Sequence, residues 1–107
     1  MEKITAIVSN KLLKKGISLT SLGINEIAWA KDDIKKIMEE LGTKKIGILG
    51  GDVYRIDGEK IKITCDGWYM NDDDSEKFYQ NSREKALNYI EDYERNNRGK
   101  FIYTIVI

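Results

Sequence analysis

Residues 101–107, Phe-Ile-Tyr-Thr-Ile-Val-Ile, are the strongest constraint on how this chain folds. Seven consecutive β-favouring residues, six of them apolar or aromatic, are costly to leave in water. The run is too short for a membrane span of roughly 20 residues. It is therefore expected as a strand inside a sheet, covered on at least one face. A second β signal lies upstream. Residues 53–56 and 60–64 are β-rich and flank Asp57-Gly58. Asp-Gly between such runs marks a two-residue hairpin turn, because a type I′ turn needs positive φ at both central positions. Residues 46–49 form a further short apolar run and are expected as a third strand before the long helix.

Helical periodicity occupies the rest. Ile34, Ile37, Met38 and Leu41 follow the i, i+3, i+4, i+7 rule. Asp32 and Asp33 would sit in the favourable first turn, and Gly42 would follow the last. Residues 75–96 carry a stripe of Tyr79, Ser82, Ala86, Tyr89, Ile90 and Tyr93, with most charges on the other side. A first helix over Ile4, Ile7, Val8 and Leu12, stopped at Gly16, competes with a strand because of its β-branched residues. Residues 18–30 hold Leu22, Ile24, Ile27 and Trp29, which imply burial without a clear period. The order predicts one α+β domain over residues 1–107. Its sheet is small and mostly antiparallel, of about four strands, with about three helices packed mainly on one face.

Composition removes several function classes. The 107 residues contain no His, one Cys, and 18 basic against 18 acidic side chains. Without His there is no imidazole base and no histidine-containing triad or zinc site. One cysteine forms no internal disulfide, which points to a reducing compartment, and residues 1–15 lack the apolar core of a signal peptide. A cytoplasmic protein is expected. Zero net charge argues against a general nucleic-acid binder, and no run of about 18 apolar residues argues for a membrane. No cofactor is implied, and the chain is expected as a monomer or weak homo-oligomer.

Charge is nevertheless uneven. Residues 64–76 hold five acids (Asp66, Asp72, Asp73, Asp74 and Glu76) and no base. Their spacing is not that of a calcium loop, so no metal site is expected. Acids beside Trp68 and Tyr69 instead suit a recognition loop, since interface hot spots favour Trp, Tyr and Arg and acidic fields steer basic partners. Gly50, Gly51 and Asp52 lack the ending of a phosphate-binding loop. They read as a place where two backbones approach, with Asp52 available to cap a turn. Cys65, with no base nearby in sequence, reads as a buried or half-buried strand thiol. The tyrosine stripe and Trp29 read as core. An enzymatic alternative is a small hydrolase using the carboxylates of Asp52 and Asp66.

Four segments occur in a particular order. They are Leu22-Gly23-Ile24-Asn25-Glu26-Ile27-Ala28-Trp29, Gly50-Gly51-Asp52-Val53-Tyr54, Asp66-Gly67-Trp68-Tyr69, and Ser82-x-x-Lys85-Ala86-x-x-Tyr89-Ile90. Together they resemble the immunity protein 40 family of bacterial polymorphic toxin systems, from about residue 12 onward. Cys65 and Gly67 stand where the family pattern has Tyr and Asn. The resemblance implies a non-enzymatic intracellular protein that binds and neutralises a cognate toxin domain. Residues 66–74 are the expected contact region, through Asp66, Trp68, Tyr69, Asp72, Asp73 and Asp74. Trp29, Gly50, Gly51, Asp52 and Tyr54 carry the family motif.

Overall fold

The structure is a computed structural model and describes residues 4–71 and 76–107. Its α+β architecture matches the expected class. Five strands form one antiparallel sheet: β1 (Ile17–Ser18), β2 (Ile27–Ala30), β3 (Gly50–Asp57), β4 (Lys60–Tyr69) and β5 (Lys100–Tyr103). Their spatial order is β1-β2-β5-β3-β4. Strand β5 is therefore central, between β2 and β3, as its apolar sequence requires. Helices α1 (Asn10–Leu13), α2 (Lys31–Thr43) and α3 (Phe78–Asn96) complete the fold. No helix among the described residues is long and apolar enough to cross a membrane.

The pleat sorts side chains into two layers. On the helix side, Trp29, Val53, Phe101 and Tyr103 join Ile34, Ile37, Met38, Leu41, Ala86 and Ile90 in the main core. On the other side, Ala28, Tyr54 and Ile102 meet Leu19 in a smaller core. Residues 18–30 explain themselves here. They form β1, a 3-10 turn over Thr20–Leu22 and β2, and they fold Leu19, Leu22 and Ile24 over the back of the sheet. Their lack of a period follows from this role, since a crossing segment buries residues wherever the sheet surface happens to lie.

Several boundaries differ from the sequence reading, each for an identifiable reason. Residues 46–49 are not a strand. They lead into β3 without regular structure, and the Ile48 N–H donates to Ser82 Oγ at 2.9 Å. The first helix is reduced to a 3-10 turn over Ile4–Ala6 and the four-residue α1, in line with its β-branched content. Helix α2 passes through Gly42, and the left-handed residue at its end is Lys45, with φ 56°. Ile46 N–H donates to Leu41 O and Lys45 N–H to Gly42 O, which closes a Schellman-type end. Lys31 and Lys35 both pair with Glu91, at 3.2 and 2.6 Å, and link α2 to α3.

The hairpin is present but its turn is shifted by one residue. Asp57 pairs with Lys60, so the central residues are Gly58 and Glu59. Gly58 has φ +63°, and Glu59 is not among the positive-φ residues. That is the pattern with glycine at the first central position, so strand pairing extends through Asp57. A Cβ on Gly58 would touch nothing within 4 Å, so only backbone strain opposes substitution there. Gly58→Val is expected to cost about 1–3 kcal/mol, read as a lowered denaturant midpoint with an unchanged slope.

Tyr103 stands at the centre of the main core with no exposed surface, and its hydroxyl donates to Glu94 Oε2 at 2.7 Å. Burial first, and the Glu94 bond second, push this phenol far above its ordinary value of 10.0. The unfolded chain can ionise Tyr103 above pH 10 while the folded chain cannot. Stability from this group is therefore intact below pH 10 and declines as pH rises further, by at most about 1.4 kcal/mol per pH unit. Tyr103→Phe should flatten the alkaline decline by that slope in denaturant melts between pH 9 and 11.5. Tyr54, Tyr89 and Tyr93, raised chiefly by burial, should retain the remainder.

Candidate functional site: the open end of the β3–β4 hairpin

The residues singled out in the sequence gather at one end of the hairpin. Gly50 pairs with Tyr69, Gly51 with Trp68 and Asp52 with Gly67. Asp66, Trp68 and Tyr69 thus belong to strand β4 rather than to a loop. The glycines permit the backbones to approach. A Cβ on Gly51 would stand 2.1 Å from the Thr104 carbonyl oxygen and 2.5 Å from the Trp68 ring. The reading of this segment as a close backbone approach agrees with that geometry, and Asp52 is a strand residue here.

A bulge aims the side chains. Asp52 opposes Gly67 and Tyr54 opposes Ile63, so Val53 alone faces Thr64, Cys65 and Asp66. Thr64 Oγ1 donates to Val53 O at 2.6 Å and accepts from the Asp66 N–H at 3.1 Å. Its side chain replaces ladder bonds that the bulge breaks. Cys65 takes φ +64° and is exposed, contrary to the expected buried thiol, because the bulge turns it off the sheet. Asp66 is carried toward α3, where the Tyr93 hydroxyl donates to its Oδ2 at 2.8 Å. Burial and then this bond raise the Tyr93 phenol.

Trp68 and Tyr69 part company at this end. Trp68 is 9% exposed, 5.0 Å centroid to centroid from Tyr89, and continues into a row through Tyr93 to Phe101. Its Nε1 is buried with no hydrogen-bond partner among the described residues. Tyr69 is 74% exposed, and Lys85 Nζ donates to its carbonyl at 3.0 Å. Tyr69, Val106 and Asp52 border one open cleft. Asp72, Asp73 and Asp74 lie outside the described residues. Trp29 is fully buried, and its Nε1 donates to Leu12 O at 2.8 Å.

The four motif segments therefore meet in space, and the pattern they form has a match. A family model described as immunity protein 40 matches residues 18–107, most of the chain. The chain belongs to the immunity protein 40 family. Membership implies an immunity protein of a toxin system. No curated protein and no solved structure matches the chain. Within the family-matched region the helical motif acts on the hairpin: Ser82 holds Ile48, Lys85 holds Tyr69, and Tyr89 packs on Trp68.

The same region holds a residue that the sequence reading quoted but did not single out. Glu26, from the first motif, lies near Asp52 and Tyr54 of the second, on the sheet face away from α2 and α3. Burial first, and Asp52 second, raise the Glu26 carboxyl; burial, then Asp52, then Glu26 raise the Tyr54 phenol. The available signal was the placing of an acid among Leu22, Ile24 and Ile27. Asp52 thus faces Glu26 and Tyr54, whereas Asp66 faces Tyr93 on the helix side. Two carboxylates turned to opposite faces do not flank a common substrate, which leaves the hydrolase alternative without geometric support. Among the described residues, no group of three or more His, Cys, Asp or Glu could hold a metal ion.

Proposed function

We propose that this protein binds a cognate toxin domain inside the producing cell and blocks its activity. Membership of the immunity protein 40 family carries the reading. The contact region proposed is the hairpin end, with Tyr69 as the exposed anchor and Asp66, Asp72, Asp73 and Asp74, its neighbours in sequence, as the acidic contribution. Tyr69 suits an anchor because its ring is exposed while its backbone is held by Gly50 and by Lys85. An anchor whose backbone is ordered before binding loses less conformational freedom on binding. Trp68 supports this surface from below.

The test uses the toxin domain encoded beside this chain's gene. Wild-type protein should bind it and abolish its activity at equimolar ratio. Tyr69→Ala, at an exposed site, should leave the melting curve unchanged and cost about 2 kcal/mol of binding. Replacing Asp72, Asp73 and Asp74 with Asn should slow association more than it speeds dissociation. That effect should shrink as salt rises, because exposed charges are screened beyond roughly 8–10 Å. Absence of binding by the wild type would refute the immunity reading.

A further inference from the structure

A concavity of about 390 Å³ opens beside the hairpin end, between the Ile4–Ala6 turn, β2 and residues 104–107. Ile4, Ile27, Ile105 and Ile107 contribute to its lining, and Ser18 and Glu26 add polar groups. Asp52 lines the neighbouring cleft, which shares Val106 with this cavity, and its charge acts on Glu26. We infer that this cavity receives a basic side chain, lysine or arginine, from the toxin partner, with Glu26 and Asp52 as counter-charges. The inference deepens the proposed function and rests on it.

Three observations support this occupant. The first is charge. Among the described residues neither Glu26 nor Asp52 takes part in an ion pair. Glu26 lines the cavity as a partly desolvated carboxylate, raised by burial first and by Asp52 second, and a cation beside it relieves both effects. The second is shape. An apolar lining with a carboxylate matches a methylene stem ending in a cationic head. The third is continuity. Val106 borders both this cavity and the cleft that holds Tyr69 and Asp52. A partner seated on Tyr69 reaches Glu26 across Val106, which is itself 41% exposed.

Two measurements on the full chain test the assignment. In the first, N-acetyl-lysine methylamide is titrated against the protein and amide shifts are followed by NMR. Saturable shifts at Ile27, Ile105 and Ile107 are expected, with at least tenfold weaker binding of the uncharged N-acetyl-norleucine analogue. The Glu26→Gln/Asp52→Asn double variant should lose that preference. Equal binding of both probes would make the cavity a receptor for an apolar side chain, and absence of shifts would leave it no receptor at all; either overturns the inference. In the second, the double variant, with its melting curve unchanged, should bind the neighbour-encoded toxin domain at least thirtyfold more weakly than wild type and with a shallower salt dependence. Toxin binding within twofold of wild type would overturn the inference and leave the immunity reading intact. A saturating lysine probe with no toxin binding by wild type would refute the immunity reading while the cavity's preference for a basic group stood.

Discussion

Removal of residues 104–107 is expected to abolish cooperative folding. These residues extend the line of β5 beyond its last regular pair. Thr104 N–H donates to Asp52 O at 3.0 Å, and the Asp52 N–H returns a bond to Thr104 Oγ1 at 2.9 Å. Val106 N–H donates to Gly50 O at 2.8 Å and Leu49 N–H to Val106 O at 2.7 Å. Ile105 is 5% exposed in the main core, and Ile107 packs against that core. Burial of Ile105 alone contributes about 1.5–3 kcal/mol, and each lost hydrogen bond about 1 kcal/mol more. Together the loss is on the order of 5 kcal/mol or more, comparable with the whole stability of a small domain. The truncated chain should show no sharp thermal transition by circular dichroism. One sharp transition near the wild-type midpoint would mean that the segment is peripheral.

Trp68→Ala should destabilise the fold by about 3–5 kcal/mol, the usual cost of truncating a buried aromatic. Its ring packs on Tyr89 and fills the space above Gly51, where no side chain can enter. Loss of the ring leaves a cavity bounded by backbone that the Thr104 carbonyl and β4 already hold in place. Trp68→Phe is the informative companion. It keeps an aromatic ring against Tyr89 and removes an N–H that has no hydrogen-bond partner among the described residues. Its cost should stay near about 1 kcal/mol, since the lost volume is partly offset by the lost unsatisfied donor. Chemical denaturation of the two variants checks both figures. The pair also separates folding from recognition. A stable Trp68→Phe protein that still neutralises the toxin would assign Trp68 to support, with Tyr69 as the contact.

Much of the fold was legible because it is written in local periods. The stripe of Ile34, Ile37, Met38 and Leu41 became the buried face of α2, and Ser82, Ala86 and Ile90 became that of α3. The first part of the apolar run at 101–107 supplied the central strand, which ends at Tyr103 and is followed by an isolated bridge at Val106, and Gly58 supplied a turn. These features depend on neighbours three or four residues away, or two along a strand, so a linear reading finds them.

The sequence by itself determined the fold class, the family resemblance and the absence of histidine chemistry. Only the tertiary structure decided which members of each motif face water. Trp68 and Tyr69 are adjacent in sequence and both aromatic, yet one lies under α3 and the other stands in solvent. The bulge at Thr64–Cys65–Asp66 places two extra residues of β4 opposite Val53, so the alternation of faces carries on past it while the register shifts by two and brings Gly67 rather than Cys65 opposite Asp52. Nothing in composition announces that shift. The approach of Glu26 to Asp52 likewise joins residues 26 positions apart, through the placing of β2 and β3 on either side of β5. Contacts of that kind are properties of strand order, which local propensity does not encode.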